Sequence, residues 1–130
     1  MAARGPEPSV RTFPWGNEPA DCTRANMGGS GSCVGDTDRV GRRLDGQSLF
    51  GVLDMAGNVW EWVADWYDAG WYEKSPRDNP KGPATGTLKV MRGGCWVSTG
   101  DSLRVSCRKA ELAASWAYNV GFRCAYPEGR

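Results

Sequence analysis

The cysteines are the side chains of this sequence that can take part in the most kinds of reaction, because a thiolate can bind a metal, attack a substrate or form a disulfide. The sequence has five of them, and no two stand as a Cys-x-x-Cys pair, which argues against a zinc ribbon or a thioredoxin-type site. It has no histidine, so the commonest general base and the commonest transition-metal ligand are both missing. The cysteines are Cys22, Cys33, Cys95, Cys107 and Cys124.

The pairing of these thiols has two interpretations. In the first, all five are reduced and most of them are buried. In the second, Cys22 and Cys33, which flank the glycine-rich loop 28–31, form a disulfide in an oxidising compartment. An odd number of cysteines leaves at least one thiol unpaired in a monomer, and the sequence does not choose between the two.

Length and composition limit the classes of function. A chain of 130 residues is one domain, and a net charge of +1 argues against nucleic acid or an anionic membrane as the main partner. No apolar run is long enough to span a bilayer. The segment 1–6 lacks the apolar region of a signal peptide, so we expect a cytoplasmic chain or one displayed as part of a larger protein.

The elements that must position any site are short. Seven tryptophans and 18 glycines indicate a compact, loop-rich fold held by aromatic side chains. The segment 59–66 fits both a helical face and strand alternation, and its aromatic and β-branched residues favour a strand. Further strands are predicted at 88–90 and 120–126. The segment 21–48 reads as an ordered loop that a bound ion or a disulfide must fix, and 68–86 as a surface excursion.

Two stretches carry a family resemblance. One is the segment 50–62, with the sequence FGVLDMAGNVWEW. The other has two parts, Arg92–Trp96 and, further along the chain, Val120–Cys124. Together they resemble the formylglycine-generating enzyme, or sulfatase-modifying factor, family. The resemblance covers roughly residues 2–126 and implies an α+β domain with a C-type-lectin-like fold, short antiparallel strands and long loops. Family domains are longer than this chain, so the resemblance also implies that the family's N-terminal half is missing from it.

Members of that family bind calcium around the first stretch. The resemblance implies ligands from the side chains of Asp54 and Glu61 and from the carbonyls of Gly57 and Val59. The chemistry agrees, because calcium takes carboxylate and carbonyl oxygens and a glycine lets the chain curl around the ion. The residues leave an alternative open, in which Asp54 and Asn58 cap a turn and Glu61 pairs with an arginine.

A second calcium site of the family begins with an asparagine that follows an alanine. Ala25-Asn26-Met27 matches this beginning, and the resemblance implies Asn26 as a further metal ligand. The loop that follows is much shorter here than in the family, and Asp36 and Asp38 are the candidates for the acidic partner.

The enzymes of the family oxidise a substrate cysteine to formylglycine with copper bound by two closely spaced cysteines. The resemblance places the first of these at Ser98 and the second on or near Ser102. A hydroxyl cannot replace a thiolate as a ligand for Cu(I), so we expect no copper and no catalytic residues. An oxidase or a related sulfoxide-synthase-type enzyme remains the alternative, against which the missing thiolate pair and the missing histidines both argue.

The spacing between Arg92–Trp96, Cys107-Arg108 and Val120–Arg123 is similar to that of the family's non-catalytic members. These include the variable proteins of diversity-generating retroelements. In those proteins, the residues between fixed scaffold motifs form an exposed binding face. The resemblance therefore implies a face for a protein or small-molecule ligand between Trp96 and Val120. Its outward-facing residues would be Val97, Ser98, Thr99, Asp101, Lys109, Glu111, Ser115, Trp116, Ala117 and Tyr118.

Tryptophan and tyrosine are residue types that anchor interfaces, which suits a binding role for Trp116 and Tyr118. The alternative is that both simply pack over the core. A third interpretation of the whole chain is a structural domain of a larger bacterial signalling or envelope protein.

Two arginines flank the glycine-rich turns of the second stretch. We expect Arg92 and Arg123 to tie backbone carbonyls or the carboxylates of Asp54, Glu61 or Asp65 together. The alternative role for the two arginines is that of an anion clamp.

Overall fold

The computed structural model describes residues 2–6, 10–29, 31–76, 78 and 80–125. Within this range, four strands form one sheet in the order β3-β2-β1-β4. Strand β1 pairs antiparallel with β2 and parallel with β4, and β2 pairs antiparallel with β3. The sheet is therefore mixed, whereas the sequence predicted antiparallel strands. The strands are β1 Trp60–Trp66, β2 Leu88–Arg92, β3 Lys109–Leu112 and β4 Val120–Gly121.

Helical structure is limited to three short elements in the described residues, which agrees with the α+β prediction. They are one helix, α1 at Trp71–Lys74, and 3-10 turns at Leu44–Gly46 and Gly100–Leu103. The remainder is ordered loop. No helix among the described residues has the length and apolar character needed to cross a membrane.

The segment with ambiguous periodicity is a strand, as its residue types predicted. In β1, Trp62 lies opposite Met91 and Glu61 opposite Arg92, and the register shifts between Trp62 and Trp66. The strand predicted at 88–90 extends to Arg92. The predicted final strand is much shorter than expected, at Val120–Gly121, and its last residue, Tyr126, lies outside the described residues.

Two apolar clusters form the core. One contains Phe13, Ala25, Ala56 and Leu103, and it is built almost wholly from loops. The other contains Trp60, Met91 and Cys95, with Trp62, Cys107 and Val120 packed against it. Because loops supply so much of the core, their positions depend on backbone contacts between distant segments rather than on regular pairing.

The loop 21–48 is fixed by a disulfide and by ion pairs. Cys22 and Cys33 are bonded, with their Cα atoms 5.4 Å apart, so the interpretation with five reduced thiols is wrong for this pair. The Asp38 carboxylate, with 8% of its side chain exposed, forms ion pairs with Arg42 and Arg43. The hydrogen bond from Arg43 lowers the pKa of the Asp38 carboxyl. The predicted need for an external constraint is met here by covalent and ionic contacts.

Candidate functional site

The centre of the candidate metal site is an ion pair. Arg123 Nε donates to both carboxylate oxygens of Glu61, at 2.9 and 2.7 Å. Its terminal nitrogens donate to the carbonyls of Leu53 at 2.9 Å and of Asp54 at 2.6 Å. This hydrogen bonding to Glu61 raises the pKa of the Arg123 guanidinium further. The structure therefore has the arrangement in which Glu61 pairs with an arginine.

The turn before Glu61 has the tight curl that the sequence predicted. Asp54 and Asn58 have φ of 54° and 68°, and Gly57 has φ of 81°. The Asp54 carboxylate accepts a hydrogen bond from the Gly41 amide at 2.7 Å, and the Gly57 amide donates to the Gly93 carbonyl at 2.8 Å. The side chain of Asp54 thus holds a neighbouring loop in place.

The side-chain oxygen of Asn26, the other predicted metal ligand, has no hydrogen-bond partner. Asn26 is 2% exposed, and its Nδ2 donates to the Asp36 carbonyl at 2.9 Å and to Asn58 Oδ1 at 3.1 Å. Its Oδ1 is buried and accepts no hydrogen bond, which is a costly state for a polar atom. The carboxylate of Asp38 points to arginines instead. Within the described ranges, no group of three Asp, Glu, Cys or His side chains is placed to hold a metal ion.

At Ser98, the first predicted copper position, the hydroxyl takes part in local hydrogen bonds. Ser98 Oγ accepts a hydrogen bond from the Cys95 amide at 3.0 Å and lies 3.4 Å from Cys95 Sγ. Asn119 Nδ2 donates to the same sulfur at 3.4 Å. Cys107 is a free thiol, and burial raises its pKa. Ser98 therefore points inward, although the resemblance implied an outward position.

A concave surface of about 230 Å³ lies on one side of the sheet. Five of its lining residues belong to the predicted binding face, and four others complete it. Because residues along a strand alternate between faces, Met91 and Lys109, which pair across β2 and β3, present their side chains on the same side. The predicted residues are Lys109, Glu111, Ser115, Trp116 and Ala117, and the additional ones are Trp62, Met91, Asn119 and Val120.

The remaining predicted residues lie around this cavity or away from it. Trp116 and Tyr118 are 92% and 72% exposed, so the packed alternative does not describe them. Tyr118 contacts the Trp96 ring, with centroids 5.9 Å apart. Val97, Thr99 and Asp101 are exposed but do not line the cavity. The sequence missed Met91 and Trp62 as lining residues, although β-strand alternation was a signal that could have indicated them.

Comparison with known proteins gives one matching family model and three similar proteins. A family model described as "Sulfatase-modifying factor enzyme 1-like domain" matches residues 1–127. The formylglycine-generating enzyme of Thermomonospora curvata is 40% identical over 139 residues, covering 96% of this chain and 46% of that protein. Serine/threonine-protein kinase Pkn1 of Chlamydia trachomatis is 40% identical over 127 residues, covering 96% and 19%. Treponema denticola variable protein 1 is structurally similar, with a TM-score of 0.73, 28% identity and coverage of 93% and 42%.

The chain spans less than half the length of each of these three proteins. The C-type-lectin-like architecture predicted from the two sequence stretches is confirmed by the structural similarity to the variable protein. The family predicted from the same stretches is confirmed by the family match.

Proposed function

The chain belongs to the sulfatase-modifying factor enzyme 1-like family, and from that premise we propose that it is a non-catalytic binding module whose ligand docks on the cavity beside Trp116. The module would be stabilised by calcium. The ligand class is a protein segment or a small molecule with an apolar body and polar groups at its edge.

The observation that carries this proposal is the exposure of two aromatic side chains beside a cavity. Trp116 is 92% exposed and Tyr118 72%, and Trp116 lines the cavity of about 230 Å³. Covering a tryptophan removes roughly 150–250 Å² from water, which is worth about 4–6 kcal/mol before the costs of association. Large aromatic residues next to a concavity are typical anchors of interfaces.

The cavity also indicates the polarity of the ligand. Lys109 and Glu111 both line it, so its rim offers one positive and one negative group. Glu111 Oε1 lies 3.5 Å from Ser115 Oγ, which fixes the carboxylate toward the turn. The floor is formed by Met91 and Trp62. A ligand that inserts an apolar side chain and presents both a donor and an acceptor would match these groups.

We expect the double variant W116A/Y118A to lose binding without losing its fold. A peptide library displayed on phage and selected on the intact chain would supply ligands, and the affinity of the selected peptides would be measured by calorimetry. Removing two aromatic anchors should weaken binding by at least about thirtyfold, the ratio that corresponds to 2 kcal/mol. Thermal stability should be nearly unchanged, because exposed side chains contribute little to it.

The matched control is Leu44→Ala, which removes another exposed apolar side chain, 64% exposed, that does not line the cavity. Its affinity for the selected peptides should equal that of the unaltered chain. Equal losses in the control and in the double variant, or full binding by the double variant, would contradict the proposed face.

The proposed calcium ion is supported best at Asn26. Its buried, unpartnered Oδ1 is the kind of hard oxygen that calcium prefers. The Asp36 carbonyl accepts a hydrogen bond from the Nδ2 of the same side chain and would be a second oxygen near the site. The set formed by Asp54, Gly57, Val59 and Glu61 fits a cation less well. A guanidinium already contacts Glu61 and the Asp54 carbonyl, and its positive charge repels a second cation.

Calcium should raise the melting temperature of the chain by several degrees relative to excess chelator. A ligand that binds only the folded state stabilises it by about 2.7 kcal/mol at a hundredfold excess over Kd. Asn26→Ala should abolish this increment, and Asp54→Asn should preserve it. If the melting temperatures with calcium and with chelator coincide in the unaltered chain, the calcium proposal fails, while the aromatic binding face is unaffected.

The catalytic alternative draws on the similarity to the formylglycine-generating enzyme of T. curvata. Ser98 bonds the Cys95 amide, and a serine does not supply the thiolate that Cu(I) requires. The similarity to Pkn1, a much longer protein, supports a further version of the proposal, in which the binding module is one domain of a signalling protein.

A further inference from the structure

A second cavity shares no lining residue with the proposed binding face. Its volume is about 320 Å³, which is within the range of small-molecule sites. Val90 and Arg92 line it, whereas Met91, between them in β2, lines the other cavity. Because successive side chains of a strand point to opposite faces, neighbouring residues of β2 serve different cavities. The residues that give this one its chemistry are Asp65, Trp66, Trp71, Tyr72, Arg92 and Arg108.

Two arginines in this cavity are joined through one tyrosine. Arg92 donates to the Tyr72 hydroxyl at 2.8 Å, and the Arg108 guanidinium lies over the Tyr72 ring, 4.5 Å from its centroid. Arg108 also lies 4.7 Å from the centroid of Tyr67. The sequence predicted that Arg92 and Arg123 each tie backbone carbonyls or carboxylates, with an anion clamp as the alternative. Arg123 bonds Glu61, and it is Arg108 that shares the Tyr72 side chain with Arg92.

Both guanidinium groups are held rigidly and have donors to spare. Arg92 donates to the carbonyls of Val105 and Cys107 at 3.3 and 3.0 Å. Arg108 donates to the carbonyls of Asp68 and Ala69, both at 3.0 Å. A guanidinium has five N–H donors, so each retains unused ones after these bonds and the bond to Tyr72.

Neither arginine has a carboxylate partner at ion-pair distance within the described part of the chain. Both are half-buried, and two like charges close together in a partly desolvated site favour the arrival of an anion. Asp65 also lines the cavity but is exposed, so its charge is more strongly screened by water. The nearby Asp68 carboxylate is already paired with Lys74, at 2.6 Å. Among the described residues that line the cavity, the two arginines therefore outnumber the one carboxylate, that of Asp65.

The walls specify the rest of the ligand. Trp66 and Trp71 line the cavity. Lys89 Nζ lies 3.8 Å from the centre of the Trp66 ring, which places a further positive charge against one face of the indole. Flat aromatic groups stack well on such rings, and the planar fork of an arginine matches a carboxylate. We propose that this cavity binds a small aromatic carboxylate, with the carboxylate toward Arg92 and Arg108 and the ring against Trp66 and Trp71.

The test is an NMR titration that follows the tryptophan indole N–H signals, assigned with W66F and W71F. The probes are indole-3-acetate and N-acetyltryptophan, each compared with its uncharged amide. We expect saturable shifts of the Trp66 and Trp71 signals, with the acid binding at least about tenfold more tightly than the amide. Tighter binding of N-acetyltryptophan would indicate the carboxyl end of a peptide, and tighter binding of indole-3-acetate a free acid.

Arg108→Gln should weaken the binding of the acid at least about tenfold and bring it near that of the amide. The matched control is Arg104→Gln, which removes an exposed arginine that pairs with Asp101 and does not line the cavity. If Arg108→Gln does not fold, the comparison of acid and amide on the unaltered chain still tests whether the carboxylate contributes to binding. Equal affinities for acid and amide, or no saturable shift up to about 10 mM acid, would overturn the proposal.

Discussion

Replacing Gly57 by alanine is expected to destabilise the domain by about 2–5 kcal/mol, a large part of the roughly 5–15 kcal/mol that holds a domain folded. Gly57 has φ of 81°, and a Cβ there would lie 2.5 Å from the Asn26 carbonyl oxygen. A side chain in this conformation costs about 1–2 kcal/mol, and relieving the overlap costs roughly 1–3 kcal/mol more.

The overlap cannot be relieved cheaply, because the neighbouring atom belongs to the backbone. The Asn26 carbonyl accepts the Asn58 amide at 2.8 Å, and the Gly57 amide donates to the Gly93 carbonyl at 2.8 Å. Moving either segment would break a buried hydrogen bond, worth about 1–3 kcal/mol when a partner is left unsatisfied. Urea unfolding followed by tryptophan fluorescence would measure the loss.

Gly51→Ala is the matched control for this variant. Gly51 has φ of 74°, and a Cβ there would meet nothing within 4 Å, so only the conformational cost of about 1–2 kcal/mol should appear. Equal destabilisation by the two alanines would show that the approach to Asn26 is not what requires glycine at position 57.

Removing the disulfide with C22S/C33S is expected to lower the free energy of unfolding by about 3 kcal/mol. The bonded cysteines are 11 residues apart, and releasing a loop of this size restores that much chain entropy to the unfolded state. The loop carries Asn26, whose carbonyl accepts the Asn58 amide. We therefore expect the variant to bind calcium more weakly as well, because the proposed ligand is no longer held in place.

Chemical denaturation with and without a reducing agent would measure this contribution. The unaltered chain in reducing agent should match the double variant, and the reducing agent should not affect the double variant. Cys124→Ser serves as the control, since Cys124 is free and exposed and its loss should leave the unfolding midpoint in place. A double variant as stable as the unaltered chain would mean that other contacts fix the loop 21–48.

The contacts of Asp38 show why the local sequence could not predict how the loop 21–48 is held in place. Asp38 is four and five residues from Arg42 and Arg43 and contacts both, which is a local arrangement that sequence separation permits. The contact of the Asp38 amide with Asn58 Oδ1, at 2.8 Å, joins segments 20 residues apart. Only the closed fold brings these two segments together.

What the sequence determined by itself was the family, the α+β class and the strands β1 and β2, whereas the exposure of Trp116 and Tyr118 was decided by the structure. The features determined by the sequence depend on residue type and short spacing. Alternation and aromatic content indicate a strand from local sequence, and a sequence motif can be identified without knowing which distant segments contact it. The presence of serine at positions 98 and 102 is likewise a property of the sequence alone.

Tertiary structure decided which distant groups meet. It assigned Glu61 to Arg123, 62 residues away, and left Asn26 Oδ1 buried without a partner. It also joined Arg92 to Arg108 through Tyr72 and formed two cavities with separate lining residues. Sequence spacing could not foresee these contacts, because most of this chain is loop, and the path of a loop is set by packing and hydrogen bonds between remote segments rather than by a local period.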